Sequence, residues 1–266
     1  MKRSLLLLMF SLFFIVSCET VPITGRSQLS LVSSQELNTM GFEAYRDFIS
    51  KHQVVRNTPA AFMVQRVGGN IQRAVSLFFA RQQMSSRLSG YAWEFNLVQD
   101  KQKNAWCMPG GKVCVYTGIL PVTRDENGLA VVMGHEIAHA VANHSSERMS
   151  QQLLVQMGGA ALSTAMAQSP QQTQNLFLNL FGVGSQVGLM LPYSRIHESE
   201  ADRLGLIFMA MAGYDPRGAL VFWQRMAASQ QRQAPSEFLS THPSDVTRIN
   251  NLKVYIPEAL KYYRSG

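Results

Sequence analysis

The chain is 266 residues long, 46% hydrophobic and 15% charged, with three cysteines and a formal net charge of +7. That length provides for one large domain or two small ones. No block of Lys and Arg and no basic patch interleaved with aromatics occurs, so nucleic acid is excluded as a partner, and the absence of a CxxC pair excludes a cysteine-built zinc site.

Met1-Lys2-Arg3, followed by an apolar run from Ser4 to Val16, reads as a secretory signal, so residues 1–17 stand apart from the fold. The run ends in Ile15-Val16-Ser17-Cys18, which resembles the bacterial lipobox, whose cysteine becomes the lipidated N-terminus after cleavage. Lipid on Cys18 would hold the protein on a membrane surface without spanning it. Glu19 in the next position resembles the enteric signal for the outer membrane, so the expected location is the periplasmic side of the bacterial envelope. Without Lys2 and Arg3 the charge balance is 22 − 17 = +5, which suits an anionic lipid surface and equally a plain basic protein. Residues 18–32 then read as a lipidated N-terminus and extended tether, and residues 33–266 as a single domain.

Ser33 and Glu36 form a capping box that opens a helix to about Ile49, with Leu37, Met40, Tyr45 and Phe48 inward. A second helix is expected over 59–82. Trp93, Phe95 and Leu97 alternate with polar residues as a half-buried strand, and residues 104–108 and 112–117 complete a small sheet around Pro109-Gly110-Gly111. If Gly110-Gly111 is a two-residue hairpin turn, Cys107 and Cys114 lie opposite each other and can form a disulfide. If the segment is one continuous strand, they are about 23 Å apart and remain thiols.

Thr123 and Glu126 form another capping box, predicting an unbroken helix past His144 to about Met149. This helix carries His135-Glu136-Ile137-Ala138-His139, the HExxH pattern of zinc-activated peptide hydrolysis. Residues four apart on a helix differ by about 40° around the axis, so His135 and His139 can offer their imidazoles to one ion, with Glu136 beside it. A HExxHxxGxxH site is ruled out by Ala142 and Ser145. His144, turned roughly 140° from His139, is expected at the surface or in a hydrogen bond.

Residues 151–191 are apolar but broken by Gln, Gly and Ser-Pro, too interrupted to span a bilayer, and read as helices packed near the active centre. Further helices are expected over 198–211 and 216–230, near 245–254, and at the end. Glu198 and Asp202 share one helix face, so one can bind the metal while the other accepts a ring N–H from a ligating histidine. His197 is a further possible ligand. Glu200 faces elsewhere and is expected to be solvated near Arg203.

Taken together, Thr24-Gly25-Arg26-Ser27-Gln28-Leu29, Asn104-Ala105 with Pro109-Gly110-Gly111, Val115-Tyr116-Thr117-Gly118-Ile119-Leu120, His135 to His139, Pro192-Tyr193-Ser194-Arg195, Glu198 to Asp202 and Thr241-His242-Pro243 resemble metallopeptidase family forty-eight, a gluzincin group. The resemblance covers the whole mature chain and is strongest to soluble periplasmic lipoprotein members. It implies an α+β, mainly α-helical gluzincin domain with a small β-sheet and hairpin beside the HExxH helix. It implies one zinc ion on His135, His139 and Glu198, with Asp202 behind them and Glu136 as general base. Trp106 departs from the phenylalanine usual after Asn-Ala.

The segment from Asn104 to Gly118 is the expected edge for a substrate strand, with Asn104, Ala105, Trp106, Gly110 and Gly111 as substrate-binding residues. Unfolded or misassembled polypeptide is the substrate class this backbone reading predicts. His242 has three readings: oxyanion stabiliser, fourth zinc ligand that latches the site, or surface loop residue. A chaperone-like holdase with an idle zinc site is the alternative to a quality-control endopeptidase.

Overall fold

The computed structural model describes residues 18–153, 194–229, 237–242 and 246–263. The signal sequence, most of the apolar stretch 151–191, Pro192, Tyr193 and Pro243 lie outside the described residues.

Two long helices form where the sequence marks their starts. Ser33 caps α1 (Ser34–Lys51) by accepting the Glu36 N–H, and Thr58 caps α2 (Pro59–Arg81) by accepting that of Ala61, with Pro59 where a missing N–H costs nothing. Between and after them lie the strands β3 (Val54–Val55), β4 (Glu94–Val98), β5 (Ala105–Met108) and β6 (Lys112–Tyr116), in the order β3-β4-β6-β5. β4 and β6 run parallel, and the other two pairings are antiparallel. Leu37, Met40, Tyr45 and Phe48 of α1 cover one face, against Val98, Trp106, Met108, Cys114 and Tyr116. Val67, Ile71 and Val75 of α2 cover the other with Leu97, Cys107, Val113 and Val115. A sheet covered on both faces buries consecutive residues, which is why β5 is buried throughout. Each such aliphatic or aromatic side chain contributes roughly 1.5–3 kcal/mol by leaving water.

The β5-β6 turn differs from the two-residue form. Met108 pairs with Lys112, Cys107 with Val113 and Trp106 with Cys114, so the turn holds Pro109, Gly110 and Gly111. That one-step shift sends the two cysteines to opposite faces of the sheet, and both are free buried thiols rather than a disulfide. Gly110 and Gly111 have φ of +82° and +84°, and a Cβ on them would meet the Phe42 and Trp93 rings at 2.3 and 2.7 Å. Their carbonyls accept from Ala92 and Glu94, so both glycines serve the turn rather than an open substrate edge.

The HExxH helix, α4 (Glu126–Val141), follows a short turn α3 (Leu120–Thr123). Its cap is Asp125, which accepts from Gly128 N–H at 2.7 Å, and not Thr123, whose hydroxyl is bonded back to the Leu120 carbonyl. The helix also ends earlier than its pattern predicts. Asn143 adopts φ of +57°, and helix resumes over 144–153 in a new direction. The carbonyls left at the break are taken from outside: Tyr91 Oη–H donates to Ala140 and Gln28 Nε2–H to Ala142, each at 3.0 Å.

Gln28 belongs to a segment expected as an extended tether. Residues 18–29 instead fold onto the domain as a hairpin, β1 (Cys18–Thr20) against β2 (Ser27–Leu29), with Val21 buried in the main core. Packed against α4 runs α5 (Arg195–Met211), capped by Ser194, which accepts from His197 N–H. Gly134 and Gly205 let α4 and α5 meet backbone to backbone: a Cβ on Gly205 would stand 2.9 Å from Gly134 C and His135 N. The chain closes with α6 (Gly218–Ala228), the short α7 (Glu237–Thr241) and α8 (Val246–Leu260). α8 is one helix where two were expected, and Pro257 lies inside it. Among the described residues, no helix is long and apolar enough to cross a membrane.

Candidate metal centre

Packing α4 directly against α5 brings four donors to one point. His135 and His139 project from α4, Glu198 from the first turn of α5, and His242 from just beyond α7, all buried. His135 Nε2 lies 3.0 Å from His139 Nε2 and 3.2 Å from His242 Nδ1. Glu198 Oε1 lies 3.3 Å from His139 Nε2 and 2.9 Å from His242 Nδ1. A tetrahedral zinc with bonds of 2.0–2.1 Å needs donor atoms about 3.4 Å apart, so this set fits zinc.

The ring's other contacts orient it. Asp202 Oδ1 is 3.0 Å from His135 Nδ1, within reach to accept a proton carried there, and Arg248 Nη2 stands 3.1 Å from the same nitrogen, while Nε2 faces the other donors. Arg248 spans the two acids, donating from Nη1 to Glu198 at 2.8 Å and from Nη2 to Asp202 at 2.6 Å, while its guanidinium stacks 3.4 Å from the Trp223 ring. Burial drives the His139 pKa well below its ordinary value, which keeps the imidazole neutral as metal binding requires. Burial also opposes ionisation of Glu198, but the positive charges of His242, Arg248 and His135 outweigh it and hold this carboxyl well below the usual range. Glu136 differs: burial raises its pKa to about 7 against the pull of His242, and its Oε1 has no hydrogen-bond partner among the described residues. That oxygen is 3.3 Å from His242 Nε2, near in distance but outside hydrogen-bond geometry.

Behind the donors lies a second ring of buried charge. His144, expected at the surface or in a hydrogen bond, is fully buried in hydrogen-bond contacts, with Nδ1 2.9 Å from His139 Nδ1 and Nε2 3.2 Å from Glu200 Oε2. Glu200, expected in solvent near Arg203, accepts from Arg26 and Thr24, while Arg203 pairs with Glu258. Glu147 is held by Arg26 and by His197, so His197 faces Glu147 rather than the donor cluster. Burial lowers the His144 pKa to about 4. Burial opposes ionisation of Glu147 and Glu200, yet their hydrogen bonds bring both to about 2.

The expected substrate residues separate. β5 is the last strand of the sheet among the described residues and packs against α4, leaving one side of its backbone unmatched by a strand. The Trp106 side chain points into the α1 face, edge-on to Tyr45 and Phe48, with its N–H on Tyr116 Oη at 3.3 Å. Asn104 is buried and uses its side-chain oxygen to accept from Ala105 N–H.

The sequence matches Peptidase family M48 over residues 66–256, a span that includes every one of the four donors. The chain belongs to peptidase family M48. Among its M48 relatives, the mitochondrial metalloendopeptidase OMA1 of Schizosaccharomyces pombe is 34% identical over 93% of this chain and 69% of its own length. OMA1 of Saccharomyces cerevisiae is 30% identical over 100% of the chain and 77% of its own length. A putative beta-barrel assembly-enhancing protease of Vibrio cholerae is 31% identical over 59% of the chain and 33% of its own length. Like other M48 peptidases this protein is a zinc metalloendopeptidase with a gluzincin fold, and its substrates are polypeptides. Charge supports the ion: the acids Glu198 and Asp202 are buried together with the third carboxyl of Glu136, a set that zinc and Arg248 would balance.

Proposed function

We propose that the protein is a lipid-anchored endopeptidase of the bacterial envelope that removes unfolded or misassembled proteins, with zinc held by His135, His139 and Glu198. The observation that carries this reading is the position of β5 beside α4. A polypeptide adding to the free side of β5 pairs through its backbone, which only an unfolded segment can offer, and Ala105 to Met108 bind it largely irrespective of side chains. Zinc held by these residues would supply Lewis acidity for the scissile carbonyl and a water of pKa lowered towards about 7. Glu136, with its unsatisfied Oε1, takes the proton from the attacking water and returns it to the leaving amine. Asp202 and Arg248 hold His135 and Glu198 in place during this exchange.

The apolar run ending at Cys18 supports a lipid anchor, and the hairpin that starts at Cys18 would then sit directly at the membrane surface. The relative named as a beta-barrel assembly-enhancing protease supports envelope proteins as the substrate pool. Glu136→Gln tests the reading. Zinc content should stay at one per chain while cleavage of an unfolded protein falls by at least ~100-fold, and client proteins should accumulate in membrane fractions of cells carrying the variant. Cleavage at the wild-type rate would overturn it.

A holdase reading gains support from His242, whose Nδ1 completes the donor set. It predicts that Glu136→Gln still protects an aggregating client, whereas a protease alone leaves that client to aggregate.

A further inference from the structure

Thr24-Gly25-Arg26 takes no part in the chemistry proposed above, yet it reaches the donor cluster through a continuous chain of hydrogen bonds. Arg26 donates from Nε to Glu200 Oε1 and from Nη2 to Oε2, each at 2.9 Å. Thr24 Oγ1–H donates to Glu200 Oε1 at 2.8 Å. Glu200 Oε2 stands 3.2 Å from His144 Nε2, and His144 Nδ1 stands 2.9 Å from His139 Nδ1. We infer that Arg26, Glu200 and His144 are positioning residues that fix the proton of His139 on Nδ1 and so present its unprotonated Nε2 to the ion. The inference rests on the ligand set proposed above.

The proton positions follow from the partners. A carboxylate bound by a guanidinium and a hydroxyl is an acceptor only, so His144 must offer it Nε2–H. A neutral imidazole carries one proton, which leaves His144 Nδ1 as a lone pair. The His139 nitrogen facing it must then be N–H, and the lone pair of His139 falls on Nε2, the form a zinc ligand needs. In the opposite arrangement the His139 proton stands on Nε2 and blocks the metal. Asp202 performs the same service for His135 directly, at 3.0 Å. For His139 the service passes through a second histidine and reaches the N-terminal hairpin, more than 170 residues away in sequence from Glu200.

The hairpin is tied down independently of this chain. Gln28 Nε2–H caps the Ala142 carbonyl at the end of α4, and Asn143 Nδ2–H donates to Glu19 at 2.8 Å. The break at Asn143 is what turns His144 back under His139. Arg26 also donates to both oxygens of Glu147, a two-sided grip that a lysine cannot reproduce.

The test measures zinc affinity of the purified chain by competition with a chromophoric chelator, with circular dichroism as the check on folding. His144→Leu is expected to bind zinc about 10–100-fold more weakly, as removal of such a partner does elsewhere. His144→Gln, whose amide oxygen can accept from His139 Nδ1–H, should recover most of that loss. Arg26→Gln should weaken binding in the same direction, and the Arg26→Gln/His144→Leu pair should fall short of the sum of the single effects. The ¹⁵N shifts of His139 in the zinc-free protein should move from the Nδ1–H form towards a mixture in His144→Leu. Folded His144→Leu with wild-type zinc affinity would overturn the inference, as would strictly additive losses. If His144→Leu does not fold, Arg26→Gln and His144→Gln decide: weaker zinc binding by Arg26→Gln supports the chain, and wild-type binding by both overturns it. A wild-type chain that binds no zinc would instead sink the ligand set itself, so the two failures are distinguishable.

Discussion

His242 Nδ1 lies 2.9 Å from Glu198 Oε1 and 3.2 Å from His135 Nε2, where it would take the position that a zinc held by His135, His139 and Glu198 needs open for water and substrate. A donor placed there must leave before a carbonyl can approach the ion. His242→Ala is therefore expected to raise kcat/KM on an unfolded substrate, measured by initial rates at equal zinc loading; a fall would assign His242 to the oxyanion instead. At this scale the sequence separated well into legible and illegible residues. His135, Glu136 and His139 were legible because a helix fixes their spacing, and Glu198 with Asp202 because two acids four apart share a face. Arg248 was missed, since nothing around it in Ser244-Asp245-Val246-Thr247 marks a buried cation. The signal that could have found it is charge: buried acids beside a metal site call for a buried cation as well. The burial of His144 was hidden by the assumption of a straight helix through Asn143, and Glu200 was misplaced because its partners Thr24, Arg26 and His144 come from distant segments.

Among the elements, the pair α4 and α5 decides the site's dimensions, because Gly134 and Gly205 remove any side-chain layer between them. Gly205→Ala would put a methyl 2.9 Å from backbone atoms of Gly134 and His135. Overpacking of this kind costs about 1–3 kcal/mol, and each kcal/mol lowers Tm by roughly 2–4 °C at this size. Calorimetry should show that fall together with weaker zinc binding, whereas an unchanged Tm would mean that the helices separate freely. The Ser33 capping box revealed the start of α1 from sequence, and the expected span 59–82 matches α2 to within a residue. Capping misled at α4, where Thr123 and Asp125 both offer a side-chain oxygen and only the backbone reversal at Arg124, φ +69°, selects Asp125. The hairpin register was illegible for a similar reason: Pro109-Gly110-Gly111 suits two-residue and three-residue turns alike, and the aromatic rings of Phe42 and Trp93 choose between them.

Over the whole molecule, Arg26 links the N-terminal hairpin, the segment 144–153 and α5 through Glu147 and Glu200. Both carboxyls titrate near 2 when folded, against about 4.5 when unfolded. Folded values below unfolded ones mean that the unfolded chain binds more protons in this window, so stability is fully present above pH 4.5 and is lost as pH falls towards 2. The loss is on the order of a few kcal/mol. Melting the chelator-stripped protein between pH 6 and pH 2 should show it, and Arg26→Gln should flatten the slope; parallel slopes would mean that other groups carry the acid sensitivity. The fold class, α+β and mainly helical, was legible from periodicity and family motifs. The packing of residues 18–29 was not, because three-residue strands carry too little pattern to distinguish from a leader.

The preset spacing of the donors also bears on which ion the protein can use. Three imidazole nitrogens and one carboxylate, their donor atoms all within 4.8 Å of one another, suit a small borderline ion that accepts four neighbours. Magnesium and calcium seek six or more oxygens and hold their water strongly, so neither competes for this cage. Chelator-stripped protein should regain cleavage with micromolar zinc and stay silent in millimolar magnesium or calcium. A compartment rich in those two ions would therefore leave the enzyme's metal content to the supply of zinc and its transition-metal neighbours.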